Sequence, residues 1–235
     1  MNADELSVSL RGLAGRDLAS AGIHGALQQI SDACVAIFGV TGSGVMLADD
    51  QNVTRYVASS DGPGRILETA ESETAQGPCT QAFVDVTAVD SRDAATDPRW
   101  PDLAAAVAGH GVHAVLGVPV RLGGVVVGTL DVYRDEVYEW TSEERTSLVQ
   151  YAEVVSRTLV ALLQAHRAGE LAAQLQYALD HRIVVERGVG YLMASRGVDA
   201  VSAFNLLRTA ARRDRRKIGD VATEVLLGRP LPSVP

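Results

Sequence analysis

The sequence predicts an α+β domain with a mainly antiparallel sheet, followed by an all-α unit of three helices joined to it by a long helix. Three observations carry that prediction. Alternating and β-branched runs stop at about Tyr133, and beyond Thr141 the apolar residues recur only at spacings of three and four. The strongest β signal, VHAVLGVPVRLGGVVVGTLDVYR, holds two such runs on either side of Gly123-Gly124, a two-residue hairpin turn, because glycine accepts positive φ without penalty. The charge balance also reverses: residues 171–231 hold ten cations against six acids, near +4, and the residues before them hold eleven against twenty-three, near −12. An acidic body with a basic tail points to a polyanionic partner at one end, nucleic acid first.

Residues 1–18 read as an N-terminal extension, and ALQQISDACVAIFG then reads as a helix with Leu27, Ile30, Ala33, Cys34, Ile37 and Phe38 on one face. SGVMLAD and VTRYVASS read as strands separated by the polar turn Asp49 to Asn52. Gly62 to Glu73 reads as a short helix or a loop, and GPCTQAF opens a helix with Pro78 in its first turn. After the glycine hairpin, a helix starts at about Thr141, capped by Thr141 or Ser142 ahead of Glu143 and Glu144. It carries Leu148, Tyr151, Ala152, Val155, Leu159 and Leu162 toward the tail.

In the tail, Leu171, Leu175, Ala178, Val185, Val189 and Leu192 form one long apolar seam, interrupted by Arg182. Gly197 ends that helix and Asp199 caps the next, whose stripe is Ala203, Phe204, Leu207 and Ala211. A third stripe follows as Ile218, Val221, Ala222, Val225 and Leu226. The resulting division is a body over 19–163, a helical junction over 164–170 and a three-helix tail over 171–231.

The tail resembles the ANTAR domain, the RNA-binding module of transcription antitermination regulators. The resemblance is carried by Leu175-Gln176-x-Ala178-Leu179, by Arg182, Ile183 and Glu186, by Gly190-x-Leu192-Met193, by Ala203-Phe204-x-Leu206-Leu207-Arg208, and by Lys217 through Ala222. One departure is Gly188-Val189-Gly190, where the family usually has Ala-Lys-Gly, so valine stands in place of a lysine. Gly219 inside the third helix is a second. Arginine suits RNA because its planar fork grips phosphate bidentately and stacks on an unpaired base. Arg208, Arg212, Arg215 and Arg216 recur at helical spacing around a tight turn at Asp214, and with Arg213 and Lys217 they form the expected RNA-binding set. The competing reading is an ordinary solvated helix face. Phe204 lies on the apolar stripe and reads as core; Tyr177 and Tyr191 are open to either role.

The body resembles the GAF domain, a small-molecule sensing and dimerisation module, over about Ala19 to Leu163. The matching phrases are Gly77-Pro78-Cys79, Asp97-Pro98-Arg99-Trp100-Pro101-Asp102, Leu116-Gly117-Val118-Pro119-Val120, Gly123-Gly124 and Gly128-x-Leu130-x-Val132-Tyr133. The resemblance implies a ligand held between the sheet and the segment joining its halves, Gly62 to His113. Cys79, Arg99, Trp100, His110 and His113 are the candidates there. Trp100 also reads as a packing anchor for its loop. Cys79 reads either as a small buried residue or as a thiol of lowered pKa near a helix start, and Cys34 reads as core. The five histidines lack metal-ligand spacing, so no metal site is expected, and no cofactor is assigned.

Together the two resemblances imply a GAF–ANTAR regulator, not an enzyme, that binds RNA hairpins in nascent transcripts. A methionine sulfoxide reductase would need a resolving thiol, and Cys79 has no cysteine neighbour. The alternative is a non-catalytic dimerisation or interaction protein whose tail does not bind RNA. The seam of the long helix predicts a homodimer, with Gly169 as the joint at which a signal alters the helix. No secretory leader or transmembrane run is legible, which predicts a reducing, cytoplasmic compartment and no membrane partner.

Overall fold

The computed structural model describes residues 22–49, 54–165, 170–229 and 231, and within these not the side chains of 22, 23, 55, 56 and 162–180. The extension 1–18, the turn residues 50–52, the side chains of Leu162, Leu171, Leu175, Tyr177 and Ala178, and the joint at Gly169 lie outside the described residues. The described chain divides into two compact units, the first holding residues 22–47 and 54–165 and the second holding residues 170–229.

The first unit runs α1 (Gly22–Phe38), β1 (Gly42–Ala48), β2 (Thr54–Ser59), α2 (Gly62–Thr74), α3 (Pro78–Asp85), β3 (Val89–Ser91), α4 (Pro101–Val107), β4 (Val115–Leu122), β5 (Val125–Tyr133) and α5 (Ser142–Ala165). The five strands form one antiparallel sheet in the order β2-β1-β5-β4-β3. Gly123 and Gly124, at φ +56° and +86°, make the β4–β5 turn that the sequence predicts. At the start of α5 the Thr141 hydroxyl accepts from the Glu144 amide (3.1 Å), and the Glu144 carboxylate accepts from the Thr141 amide (2.9 Å), a reciprocal cap.

The sheet is covered on both faces. On one side α1 and α5 pack together, with the Tyr151 hydroxyl donating to the Ile30 carbonyl at 2.8 Å. On the other, α2, α3 and α4 close over a core of Leu67, Ala82, Trp100, Leu103, Val115 and Tyr133. Two elements here are not legible from periodicity: β3, only three residues long at a sheet edge, and α4. Gly62 to Glu73, ambiguous in sequence, is a helix through Thr74, capped by Asp61, which accepts from the Gly64 amide at 2.8 Å.

The second unit is α6 (Glu170–Arg196), α7 (Ala200–Asp214) and α8 (Ile218–Leu226), each packed on the other two. Gly197 at φ +67° ends α6, and Asp199 caps α7 by accepting from the Ser202 amide at 2.7 Å. Val185, Leu192, Ala203, Phe204, Leu207, Ala211, Ile218, Val221, Ala222 and Val225 are buried between the three helices. The seam at Val185 and Leu192 is therefore covered within the unit. Among the described side chains of α6, the large hydrophobics Ile183, Tyr191 and Met193 are exposed, the first two by about half. Gly219 falls in the first turn of α8 rather than in its interior, where the roughly 1 kcal/mol cost of glycine does not apply in full.

Candidate ligand site and candidate RNA interface

The register of the sheet builds the floor of a polar site on the face covered by α2 and α3. Asp131 on β5 lies between Gly44 on β1 and Gly117 on β4, so the one carboxylate in this cross-strand row has no side chain on either flank. Strand alternation puts Thr129 and Tyr133 on the same face. Above the floor stand Glu68 and Glu71 of α2 and Cys79 and Thr80 of α3, all buried. Gly44 and Gly117 are needed as glycines. A Cβ at residue 44 would fall 1.4 Å from Glu68 Oε1, and one at residue 117 would fall 3.1 Å from the Cys79 backbone.

The three acids divide by role. Glu71 accepts from the amides of Cys79 (3.2 Å) and Thr80 (2.7 Å), so it caps α3 from the neighbouring helix. Gly77, at φ +140°, leaves it room. Glu68 and Asp131 have no such duty: both oxygens of each are buried without a hydrogen-bond partner among the described residues, as are the hydroxyls of Thr80 and Thr129. Burial holds the Asp131 carboxyl up at about 7, with the Cys79 thiol and the Gly44 amide acting against it. Burial likewise raises Glu71 to about 7, its amide bonds opposing. Glu68 is pushed well above the carboxylate range by burial and then by Asp131, Glu71 and Asp61, so every charge acting on it is negative. Asp61 itself accepts a short hydrogen bond from the Tyr133 hydroxyl.

Of the residues that the sequence singles out for ligand contact, only Cys79 reaches this site. Its thiol is fully buried and raised well above its ordinary value by burial and by Asp131, so the reading as a thiol of lowered pKa is corrected: the acids around it oppose the thiolate. Cys34 is buried as core, its thiol pushed up to about 12 by desolvation. Arg99 is bound to the Asp97 carboxylate (2.7 and 3.0 Å) and the Asp90 carbonyl (2.7 Å), and it lies over the Trp100 ring at 4.1 Å. It holds Asp97 down at about 2. Trp100 is buried in the core, the packing anchor that the sequence allows. His113 Nδ1 pairs with Asp93 at 2.9 Å, and His110 is exposed in the turn after α4. Among the described residues no group of histidines, cysteines and acids is arranged to hold a metal ion.

In the second unit, Arg212, Arg213, Arg215 and Lys217 are exposed and Arg216 is half-buried, all at the corner where α7 turns into α8. Arg215 makes the turn in the left-handed region at φ +53°, its amide donating to the Arg212 carbonyl. Several of these cations have acidic neighbours: Arg213 pairs with Asp214 at 2.8 Å, and Glu224 accepts from Arg216 (2.7 Å) and Arg229 (2.8 Å). Arg208 is different. It is buried beside Phe204 and Leu207, so the expectation that it joins the exposed set is not met by its placement. Arg182 is buried too, paired with Glu186 at 2.9 Å. Val189 is half-buried and Gly188 sits against Ala222, where a Cβ would meet that side chain at 3.0 Å.

The first unit is thus a sheet sandwiched between helices with buried polar groups on one face, and the second a three-helix unit with a basic corner. The comparisons give the family. A GAF domain model matches residues 22–159 and an ANTAR domain model matches residues 173–226, so the chain belongs to the GAF domain family and carries an ANTAR domain after it. Among solved structures, the GAF domain from Acinetobacter phosphoenolpyruvate-protein phosphotransferase is 17% identical, covering 70% of this chain and 96% of that one at a TM-score of 0.53. The corresponding GAF domain from Coxiella burnetii is 17% identical, with 70% and 98% covered and a TM-score of 0.53. The free methionine-R-sulfoxide reductase from Neisseria meningitidis, solved with its substrate, is 17% identical, with 68% and 89% covered and a TM-score of 0.53. At these identities the likeness is one of fold. A comparison with curated proteins found no match.

Proposed function

We propose that this chain is a transcription antitermination regulator: its ANTAR tail binds RNA hairpins whose loops expose unpaired bases, and its GAF domain senses a small molecule. The observation that supports the RNA reading most is the corner of exposed Arg212, Arg213, Arg215 and Lys217 with Arg216, which gathers cations where α7 meets α8. The contact set is these five residues without Arg208, whose burial removes it from that surface.

The reading is non-catalytic. Both described cysteines are buried, and the acids around Cys79 disfavour the thiolate that a reductase mechanism would require. No described helix is long and apolar enough to cross a membrane, and the proposed setting is the cytoplasm, where nascent transcripts are made. A homodimer is part of the proposal, supported by the half-exposed Ile183 and Tyr191 on α6. In it the ligand would favour one helix arrangement about Gly169 over another, which requires a different affinity for the two.

Cross-linking and pulldown of cellular RNA with the intact chain tests the reading, with the R212A/R215A/R216A variant as control. Enrichment of hairpin-containing leader transcripts by the parent alone supports it. Equal recovery by both, or none by either, leaves the dimerising interaction protein as the function.

A further inference from the structure

The buried acids of the GAF domain say what kind of molecule it takes, an inference that rests on the proposal that this domain senses a small molecule. Glu68 presents two buried carboxylate oxygens with no donor among the described residues, and Asp131 beside it has only the Cys79 thiol and the Gly44 amide near it, neither in a well-formed hydrogen bond. A buried carboxylate without a partner is costly, and such groups in folded proteins are paired or bound. Glu71 differs because the amides of α3 occupy it. Among the described residues no cation acts on Glu68; the charges acting on it come from Asp131, Glu71 and Asp61.

Neutral groups point the same way. The Thr129 hydroxyl shares the sheet face of Asp131, and the Thr80 hydroxyl stands in the first turn of α3, whose amides hold Glu71; both are buried without a partner. The glycines on either side of Asp131 let Glu68 and Cys79 close down on the sheet beside it. A Cβ at Gly44 would occupy the place of the Glu68 carboxylate.

We propose that this site takes a small organic cation, a protonated amine whose ammonium group lies between Glu68 and Asp131 and donates hydrogen bonds to them. The chemistry decides against the alternatives. An anion, including any phosphate, meets a field of one sign and is repelled. A neutral acceptor leaves the carboxylate oxygens without donors. A metal ion needs several ligands converging on one point, and the described residues form no such group. An ammonium brings a positive charge and several N–H donors in one compact group, and charge-assisted bonds of this kind are the strong ones.

The test uses the full chain. Its thermal midpoint is followed at neutral pH with millimolar ethylammonium chloride, with tetramethylammonium chloride, which has the charge but no N–H, and with sodium chloride at matched ionic strength. A saturable rise with ethylammonium alone is expected. The titratable groups facing the site are Asp61, Glu68 and Glu71 from α2 and its cap, Cys79 from α3, and Asp131 and Tyr133 from β5; β1 and β4 contribute glycines to it. Because the acids must give up a proton to bind the cation, the ethylammonium affinity should be about tenfold higher near pH 8 than near pH 6. The E68Q/D131N variant should lose the response while keeping a midpoint no lower than that of the parent, which shows that it folds. The proposal is overturned by the absence of a saturable rise, by an equal rise in the variant or with tetramethylammonium, or by a rise with magnesium or zinc chloride in place of ethylammonium. Hairpin RNA retention is measured on the same samples. RNA binding without an ammonium response sinks this inference alone, and an ammonium response without RNA binding sinks the regulator reading alone.

Discussion

The two domains handle charge in opposite ways. The GAF domain buries Glu68, Glu71 and Asp131 together and leaves Glu68 without a donor among the described residues, whereas the ANTAR domain sets its arginines on an exposed corner beside Asp214 and Glu224. Buried charges interact strongly, depend on position and respond to pH. Exposed ones are screened by salt, and each is worth little alone. One region is therefore suited to selecting a small ligand, and the other to gripping a polyanion through many weak contacts.

The largest effect is expected from dissolving the buried cluster. Because Glu71 and Asp131 are raised to about 7 and Glu68 is raised as well, the folded chain holds more protons than the unfolded one from about pH 4 to at least about pH 7. Stability should then fall as pH rises through that window. E68Q/D131N should be more stable than the parent at about pH 7.5 by roughly 2–4 kcal/mol, read by chemical denaturation at several pH values. A parent that gains stability as pH rises from 5 to 7 would break the contrast between the regions.

Next in size is the triple variant R212A/R215A/R216A. These side chains lie off the buried stripes, so the tail should keep its helical content by circular dichroism. Its affinity for hairpin RNA should drop by about two orders of magnitude, and its salt slope should flatten by about two. A smaller effect is expected at Gly190 of α6, which has open space around it. Gly190→Ala should stabilise the tail by about 0.5–1 kcal/mol in thermal unfolding, with RNA affinity unchanged. Smallest is Arg213→Ala. Since Asp214 already neutralises that cation, RNA affinity in a titration should stay within about twofold. A large loss there would mean that the pair opens on binding and that the corner is more cationic than its ion pairs suggest.

Local chemistry made much of the fold readable. Gly123-Gly124, the Thr141 and Glu144 cap, Gly197 and Asp199 each act within a few residues, and all are found in place. The candidate site was less readable because it depends on register. Glu68 and Glu71 lie in the stretch that reads only as a short helix or a loop, and nothing local shows that α2 turns both toward the sheet. Asp131 was the available signal: a lone acid between Leu130 and Val132 in a strand with apolar residues on both faces needs a reason to be buried. Arg99 and His113 have the right chemistry for a ligand, yet Asp97 and Asp93, two and twenty residues away in sequence, take them up. Arg208 follows Phe204 by four residues, so the apolar stripe of α7 draws it inward.

The central claim is that the two charge systems do separate work, and one titration addresses it directly. Affinity of the intact chain for a hairpin recovered by the pulldown is measured against salt at about pH 6.5 and about pH 8, a range in which arginine does not titrate and the buried acids do. The account predicts a steep salt dependence, the same at both pH values in the absence of ligand and flattened by R212A/R215A/R216A. Salt-independent binding, or binding that the triple variant leaves intact, would contradict it.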